Sequence, residues 1–256
     1  MKTAEKLNCR RLDDSGFTRV DLLALLAALA LLASIALPSL GRVSEKTTIA
    51  QCAANLQQYD MALQIYGNEN QDNLPSSIIG SGFWAWDTAA YVVTFVTNTG
   101  VKWNALYCPG TSPRFTEQDN LSLFNFDPGV FCVLGYVGAI PANSAMTTSP
   151  YSTNVNATLT IQRVAYSNQF LPVHPASRAL VADATLTESG SSSVYAAMLT
   201  YDWVEIEGGY AKPHLSAHLN GTIPLGGNVG MLDGHVEWRN FKDMLPRASS
   251  GVYFYW

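Results

Sequence analysis

The sequence has little charge. Only 14% of its 256 residues are Asp, Glu, Lys or Arg, whereas about 25% is usual for soluble globular domains. The 15 basic and 20 acidic residues give a net charge of −5, and a chain without a basic excess is a poor partner for nucleic acid. Uncharged Ser, Thr, Asn, Gly and Tyr replace the missing charges, which favours an extracytoplasmic domain.

Cysteine is also scarce. The chain has four, and no two of them have the CxxC spacing of a zinc knuckle or a thioredoxin-like site. Outside the polar N-terminal segment, which contains Cys9, the other three predict one disulfide and one free thiol in an oxidising compartment. We prefer the pair Cys108–Cys132, because both lie in the part of the chain rich in loops and strands. Cys52 with Cys108 is the alternative.

Motifs of known enzyme classes are sparse. No G-x-S-x-G nucleophile elbow is present. His214, His218, Asp233 and His235 are residue types that bind zinc, but a proline and several glycines around them favour a loop. Leu215 also stands where the HExxH motif has its general base. We therefore predict that the chain is not an enzyme and that it holds no metal or cofactor.

The longest apolar run lies near the N-terminus. A polar segment, residues 1–16, precedes it, and no charge occurs from Leu22 to Leu37. Together with Phe17 to Val20, this run approaches the roughly 20 residues that a membrane-spanning helix needs. Asp21 stands at its start, and a carboxylate costs about 3 kcal/mol or less there, so it usually has a partner.

The stretch Gly16-Phe17-Thr18-Arg19-Val20-Asp21 resembles the class III leader of type IV pilins and type II secretion pseudopilins. The resemblance implies that a prepilin peptidase cuts after Gly16 and methylates the new terminus at Phe17. It also implies that Asp21 pairs with the terminal amine of a neighbouring subunit, because two buried charges offset each other's desolvation. The family normally has Glu at this position and an aliphatic residue at the position of Arg19.

This resemblance implies a location as well. The chain would be a single-pass protein of the bacterial inner membrane, with a cytoplasmic N-terminus, a periplasmic or extracytoplasmic globular domain, and a place in a filament. Its partners would be the prepilin peptidase, the inner membrane and other pilin or pseudopilin subunits. Two alternatives stay open for the N-terminal segment: cleavage by signal peptidase near Ala33 or Ala36, and an uncleaved signal anchor.

A second apolar pattern follows the membrane segment. An apolar seam, a row of apolar residues on one face of a helix, is indicated by spacings of 3, 4, 3, 4 and 3 residues. Its members are Ile49, Cys52, Leu56, Tyr59, Leu63 and Tyr66. We predict a transmembrane or assembly helix over residues 17–40 and its amphipathic continuation over 41–73. Gly67 and an Asn/Asp-rich turn would end the helix.

Residues 74–256 favour strands. Runs rich in β-branched and aromatic residues predict them at Val130–Val137, Leu159–Tyr166, Arg178–Ala182 and Val229–Leu232. Asp233-Gly234 predicts a hairpin from the last of these to Val236–Trp238. Tyr91–Thr97 also favours a strand, although a short helix would equally begin at Thr88–Ala90. The predicted fold class is α+β, pilin-like, with a long N-terminal helix packed on a mostly antiparallel sheet.

The C-terminal part resembles the tail of prepilin-like families from Verrucomicrobia and Planctomycetes, in which a His precedes Asp-Gly by nine residues. His218, Asn228, Asp233, Gly234 and His235 carry this resemblance, which makes them a candidate structural motif. Fourteen residues separate the His from the Asp here. From the residues alone, Asp and Gly form the hairpin turn and the second His packs on the sheet.

The predicted function is that of a structural subunit, a prepilin or pseudopilin of a type IV pilus or a type II secretion-like system. The alternative is a membrane-anchored extracytoplasmic module that binds carbohydrate or a surface and does not polymerise. Trp84, Trp86, Trp103 and Tyr107 would suit that second role if they gathered on one face.

Overall fold

The computed structural model describes residues 19–80, 83–141, 155–160, 165–166, 169–170, 174–249 and 251–256. Side chains are described within these ranges except at 21, 29–44, 165–166, 169–170 and 249. The expected cleavage site at Gly16 and Phe17 lies outside the described residues, and so does the side chain of Asp21. The chain divides between Ser44 and Glu45 into two compact units.

The predicted membrane segment falls largely outside the described side chains. Its backbone belongs to a helix that begins at Arg19, and its side chains are described at residues 22–28. Within the described residues, no helix combines the length and the apolar character that crossing a membrane requires.

The helices, in chain order, are α1 (Arg19–Glu69), α2 (Ala90–Asn98), α3 (Glu117–Phe124) and α4 (Tyr195–Met198). The strands are β1 (Asp87–Ala89), β2 (Phe131–Val133), β3 (Tyr136–Gly138), β4 (Ala165–Tyr166), β5 (Gln169–Phe170), β6 (Ala179–Asp183), β7 (Thr185–Thr187), β8 (Leu219–Asn220), β9 (Ile223–Pro224), β10 (Gly226–Met231), β11 (Val236–Asn240), β12 (Pro246–Ser249) and β13 (Tyr253–Tyr255). Every strand pair described is antiparallel. The mixture of helices and antiparallel sheets confirms the α+β class.

The largest described sheet has the strand order β11-β10-β6-β3. Its inner strands, β6 and β10, are buried at every position. The predicted strand Arg178–Ala182 corresponds to β6, and the predicted hairpin corresponds to β10 and β11, where Gly230 pairs with Val236. Both predictions are confirmed. The turn of the hairpin uses Gly234 at φ 93°, a conformation that glycine adopts without strain.

The second unit buries one face of α1. Cys52, Leu56, Tyr59 and Leu63 are at most 1% exposed, as the helical spacing predicts. The two ends of the predicted seam, at 49 and 66, are half-buried. The helix ends at Glu69, two residues after the glycine that was expected to stop it.

Contacts between this face and the largest sheet depend on a glycine. A Cβ atom added to Gly230 of β10 would lie 2.7 Å from Val181 and 2.9 Å from Asp60 on α1. Since real Cβ atoms do not approach so closely, the glycine gives α1 the room to lie against this strand. Asn228, on the same strand, donates a hydrogen bond of 3.3 Å to the carbonyl of Ile49.

The strand expected at Tyr91–Thr97 is wrong, because these residues form α2. Val92, Val93 and Val96 are buried, and their spacing matches one face of a helix rather than one face of a strand. Burial of that face outweighs the β propensity of the run, which depends strongly on context. The alternative of a short helix is the observed one.

A carboxyl group is buried on the packed face of α1. Asp60 is 0% exposed; its Oδ1 accepts a 3.0 Å hydrogen bond from Gln64, and its Oδ2 has no hydrogen-bond partner among the described residues. Burial raises the pKa of Asp60 to about 7; the Gln64 hydrogen bond opposes the rise, Asp233 adds to it and His235 reduces it. The unfolded chain loses this proton at lower pH, so folding stability should fall as pH rises from about 4 to about 7.

At about pH 8 we expect the free energy of unfolding of the variant Asp60→Asn to exceed that of wild type by about 2–4 kcal/mol. Near pH 4 we expect the two free energies to be similar. The amide keeps the shape of the carboxyl group and does not ionise. Urea unfolding of the full chain in detergent, followed by tryptophan fluorescence across this range, measures the difference. The exposed control Glu69→Gln should show no such trend. A difference between Asp60→Asn and wild type that stays constant with pH would contradict the expectation.

Candidate functional site

Four side chains with metal-binding chemistry meet in the second unit. They are Cys52 on α1, Cys108 before the 3-10 turn Pro109–Thr111, Asp183 at the end of β6, and His218 just before β8. One ligand atom from each lies within 4.8 Å of the others, and all four residues are buried. We refer to these four residues as the Cys–Asp–His cluster.

The atoms of the cluster are in direct polar contact. Cys52 Sγ donates to Asp183 Oδ1 at 2.8 Å. Cys108 Sγ lies 3.2 Å from His218 Nε2, and the same nitrogen lies 3.4 Å from Asp183 Oδ2. The two sulfur atoms, the carboxylate and the imidazole therefore surround one small volume.

Neighbouring groups hold the cluster in place. Asp183 Oδ2 accepts hydrogen bonds from the backbone N–H of Asn228 at 2.6 Å and from its side-chain amide at 3.1 Å. The backbone N–H of Gly110 donates to Cys108 Sγ at 3.4 Å. Tyr136 Oη lies 3.5 Å from Cys52 Sγ. The Asn228 contact shows that this predicted motif residue supports the cluster.

Two close approaches fix the turn that contains Cys108. A Cβ atom at Gly110 would lie 2.8 Å from His218 Nδ1, and one at Gly135 would lie 2.8 Å from the Cα atom of Tyr107. Neither position has room for a side chain. The turn is therefore held between the loop that contains Gly135 on one side and the imidazole on the other.

The backbone at His218 is strained. Its φ of 53° lies in the left-handed region, where a residue with a Cβ atom costs about 1–3 kcal/mol. The contacts of the ring account for the persistence of this conformation: Nε2 faces the cluster, and Trp238 packs edge-on with ring centroids 5.4 Å apart.

Burial sets the protonation of the cluster. It raises the pKa of both the Cys52 thiol and the Cys108 thiol, so the sulfurs are neutral at neutral pH. Burial acts to lower the pKa of His218, but hydrogen bonds to Asp183 and Cys52 raise it to about 10. In this state the imidazolium and the Asp183 carboxylate form a buried ion pair.

The structure places the remaining motif residues elsewhere. His218 contacts Asp183 and not Asp233. Asp233 Oδ1 instead contacts His235 Nδ1 at 2.6 Å, and the side chains of this pair are 38% and 44% exposed. His235 is therefore not packed on the sheet as expected. Asp233 and Gly234 form the predicted hairpin turn.

The predicted disulfide between Cys108 and Cys132 is not formed. Cys52, Cys108 and Cys132 are all free thiols. Cys132 is opposite Thr88 in the β1–β2 ladder, while the turn after Cys108 directs its sulfur to His218. The alternative partner, Cys52, shares the cluster with Cys108 as a separate thiol.

His214 lies in a second candidate site, a cavity of about 200 Å³ with aromatic walls. Its ring stacks on Phe115 with centroids 5.7 Å apart, and burial lowers the pKa of His214 to about 4. Trp84 and Trp86 line the same cavity, and Asp87 adds a carboxyl group whose pKa burial raises to about 7, against a hydrogen bond from the Trp84 backbone. The zinc-type set considered from the sequence is thus dispersed.

The four aromatic residues that would suit a binding role if they gathered on one face form two ring pairs. The rings of Trp84 and Trp86 lie 5.7 Å apart in the cavity, and those of Trp103 and Tyr107 lie 6.2 Å apart in a second pair. Trp86 and Tyr107 are buried. The exposed aromatic surface is therefore smaller than the sequence suggests.

We expect Asp183→Ala to lower the free energy of unfolding by about 3 kcal/mol or more, because it leaves the buried backbone N–H of Asn228 without its acceptor and the buried His218 without its carboxylate partner. Asp233→Ala is the matched control, since it removes a carboxylate paired with a histidine at the surface; its loss should be about 1 kcal/mol or less. Chemical unfolding of both variants measures the difference. Equal losses would contradict the central role of Asp183.

No family model, curated protein or solved structure matches this chain. The roles of the Cys–Asp–His cluster and of the aromatic cavity therefore follow from their own geometry and from the sequence.

Proposed function

We propose that the chain is a structural subunit of a type IV pilus or a type II secretion-like system. It would be made as a prepilin with its N-terminus in the cytoplasm and inserted in the bacterial inner membrane as a single-pass protein. The observation that carries the proposal is the stretch from Gly16 to Leu37, where a Gly-Phe junction, one acid and an uncharged apolar run occur in the order of a class III leader.

The leader supplies the chemistry of assembly. Cleavage after Gly16 creates an ammonium group at Phe17, four residues before the Asp21 carboxylate. Within a membrane each charge is costly alone, so the amine of one subunit and the acid of another stabilise each other. A buried pair that forms only between subunits makes assembly favourable without any catalytic residue in the chain.

The proposal extends to the arrangement of the whole chain. Residues 17–40 would form the assembly helix, 41–73 its amphipathic continuation against an antiparallel sheet, and 74–256 the rest of the globular domain. The continuous helical backbone of α1 from Arg19 to Glu69 supports this arrangement. The buried positions of α1 between 52 and 63 support it as well.

The aromatic cavity favours a second candidate function, a membrane-anchored module that binds carbohydrate or a surface and does not polymerise. Trp84, Trp86 and His214 offer faces on which a sugar ring would stack, and Asp87 offers a hydrogen-bond acceptor. The cavity of about 200 Å³ is smaller than the roughly 300–1,000 Å³ usual for small-molecule sites. The pilin-like function is therefore the better supported of the two.

Processing is tested by mass spectrometry of the mature N-terminus, from cells with and without the prepilin peptidase. We expect a chain that begins at N-methyl-Phe17 only when the peptidase is present. Gly16→Leu should leave the leader attached, because it places a bulky side chain next to the scissile bond. The control Ser15→Ala should be processed normally. An intact leader in both strains would contradict the proposal and favour the binding module. Cleavage near Ala33 or Ala36 would indicate ordinary secretion.

Assembly is tested at Asp21 with two variants of different charge. Asp21→Asn removes the carboxylate, and we expect it to reduce the fraction of chain in sheared surface filaments at least about tenfold, since the subunit amine loses its partner. Asp21→Glu keeps the charge and should assemble at least as well as wild type. Both variants should still be cleaved after Gly16. Equal filament fractions for the two variants would contradict the role of the charge.

A further inference from the structure

We propose that the Cys–Asp–His cluster binds one Zn²⁺ ion per chain. The ligands would be Cys52 Sγ, Cys108 Sγ, Asp183 Oδ1 and His218 Nε2. The site lies entirely within the second compact unit, so it does not depend on the function of the N-terminal segment.

The donor atoms already lie close to the spacing that a four-coordinate zinc ion requires. Zinc bonds of about 2.3 Å to sulfur and about 2.0–2.1 Å to nitrogen or oxygen place neighbouring ligands about 3.3–3.8 Å apart. The distance from Cys108 Sγ to His218 Nε2 is 3.2 Å. Cys52 Sγ lies 2.8 Å from Asp183 Oδ1, and no pair in the cluster exceeds 4.8 Å. An ion therefore fits after shifts of about 1 Å or less.

The kinds of donor select the metal. Two sulfurs, one imidazole nitrogen and one carboxylate oxygen are the ligand types of zinc, whereas calcium and magnesium require oxygen ligands. All four residues are buried, at most 3% exposed. A closed set of four protein ligands leaves no position for water, which is typical of a structural zinc site rather than a catalytic one.

The groups around the cluster match the outer shell of such a site. The two hydrogen bonds from Asn228 go to Asp183 Oδ2, which leaves Oδ1 directed at the sulfur of Cys52. The backbone N–H of Gly110 and the hydroxyl of Tyr136 are placed to donate to the two sulfurs. Partners of this kind orient the ligands and stabilise thiolates once a metal replaces their protons.

The strained backbone of His218 fits the same role. A left-handed residue with a Cβ atom persists only where its surroundings compensate for the cost. Here the strain brings Nε2 to the sulfur of Cys108, while Gly110 provides the space for the ring. A metal–imidazole bond would add to the compensation that the contacts of the ring with Cys108, Asp183 and Trp238 already supply.

Binding involves proton release and no redox change. Each thiol loses its proton to solvent, His218 binds as the neutral ring after it too releases a proton, and the Asp183 carboxylate binds as it stands. The ion would connect α1, the Cys108 turn, β6 and the loop before β8. The expected effect is a more stable domain, with melting temperature dependent on zinc.

The test uses the full chain, purified in detergent under reducing conditions and then exchanged into buffer with Zn²⁺ or Co²⁺. We expect about one zinc per chain by elemental analysis and a higher melting temperature than in chelator. Cobalt should give the visible bands of a tetrahedral ion together with a thiolate-to-cobalt charge-transfer band. That band reports sulfur ligands in the wild-type chain, whether or not any variant folds.

The ligand assignment is tested with cysteine variants. The double variant Cys52→Ser and Cys108→Ser should lose both the zinc and the charge-transfer band. The matched control Cys132→Ser, which removes the third buried cysteine from another strand, should keep both. His218→Ala should also lose the zinc.

Three outcomes would overturn the proposal. One is a wild-type chain without zinc above the level of the double variant. Another is a cobalt spectrum without thiolate charge transfer. The third is a Cys52–Cys108 disulfide in a chain isolated without reductant, detected as a mass two hydrogens lower and as a cross-link between the two peptides, since a disulfide would occupy both sulfurs.

Discussion

The carboxylate of Asp183 is the group on which the arrangement of the second unit depends. It ends β6 and accepts hydrogen bonds from the thiol of Cys52 and from two N–H groups of Asn228. It also pairs with His218, which lies beyond β7 and α4 in the chain. A helix, two neighbouring strands and a loop thus share one buried acceptor, and such a group holds its partners in place because each would be costly to leave unsatisfied.

Because the chain has few charged residues, its specific packing depends strongly on these few buried polar groups. A chain with 14% charged residues has few surface ion pairs to organise it, and such pairs contribute little in any case. The described interior instead contains isolated polar centres, at Asp60 and in the Cys–Asp–His cluster, surrounded by apolar side chains. Specific packing of α1 against the strands depends on these centres and on the glycine at 230 that gives them room.

Features with a local period or a local turn could be predicted from the sequence. The apolar seam on α1 follows the 3.6-residue period of a helix. The turn of the β10–β11 hairpin requires a residue at positive φ, and the Asp-Gly dipeptide supplies it with Gly234. The run at Tyr91–Thr97 shows the limit of such reasoning, because its residues suit strands while their burial pattern suits a helix. Tertiary packing decided between the two.

The Cys–Asp–His cluster could not be found in this way. Its four residues come from distant parts of the chain, and no spacing in the sequence connects them. In the sequence, Asp183 stands at the end of a predicted strand and Cys52 is an ordinary member of the apolar seam. The cysteines therefore suggest a disulfide, and His218 belongs only to the motif that it shares with the Asp-Gly hairpin. The only local signal in the sequence is the Cys108-Pro109-Gly110 turn. Its importance is clear only from the structure, where the imidazole of His218 packs against Gly110.

The tight space around that turn has a consequence for how relatives of this chain would be recognised. Loops tolerate insertions, so the distance from His218 to the Asp-Gly hairpin is free to drift during evolution. Gly110 and Gly135 have no such freedom, because any side chain at either position would collide with the imidazole or with the backbone at Tyr107. The two glycines that pack against the Cys108 turn should therefore identify distant homologues more reliably than the length of any loop.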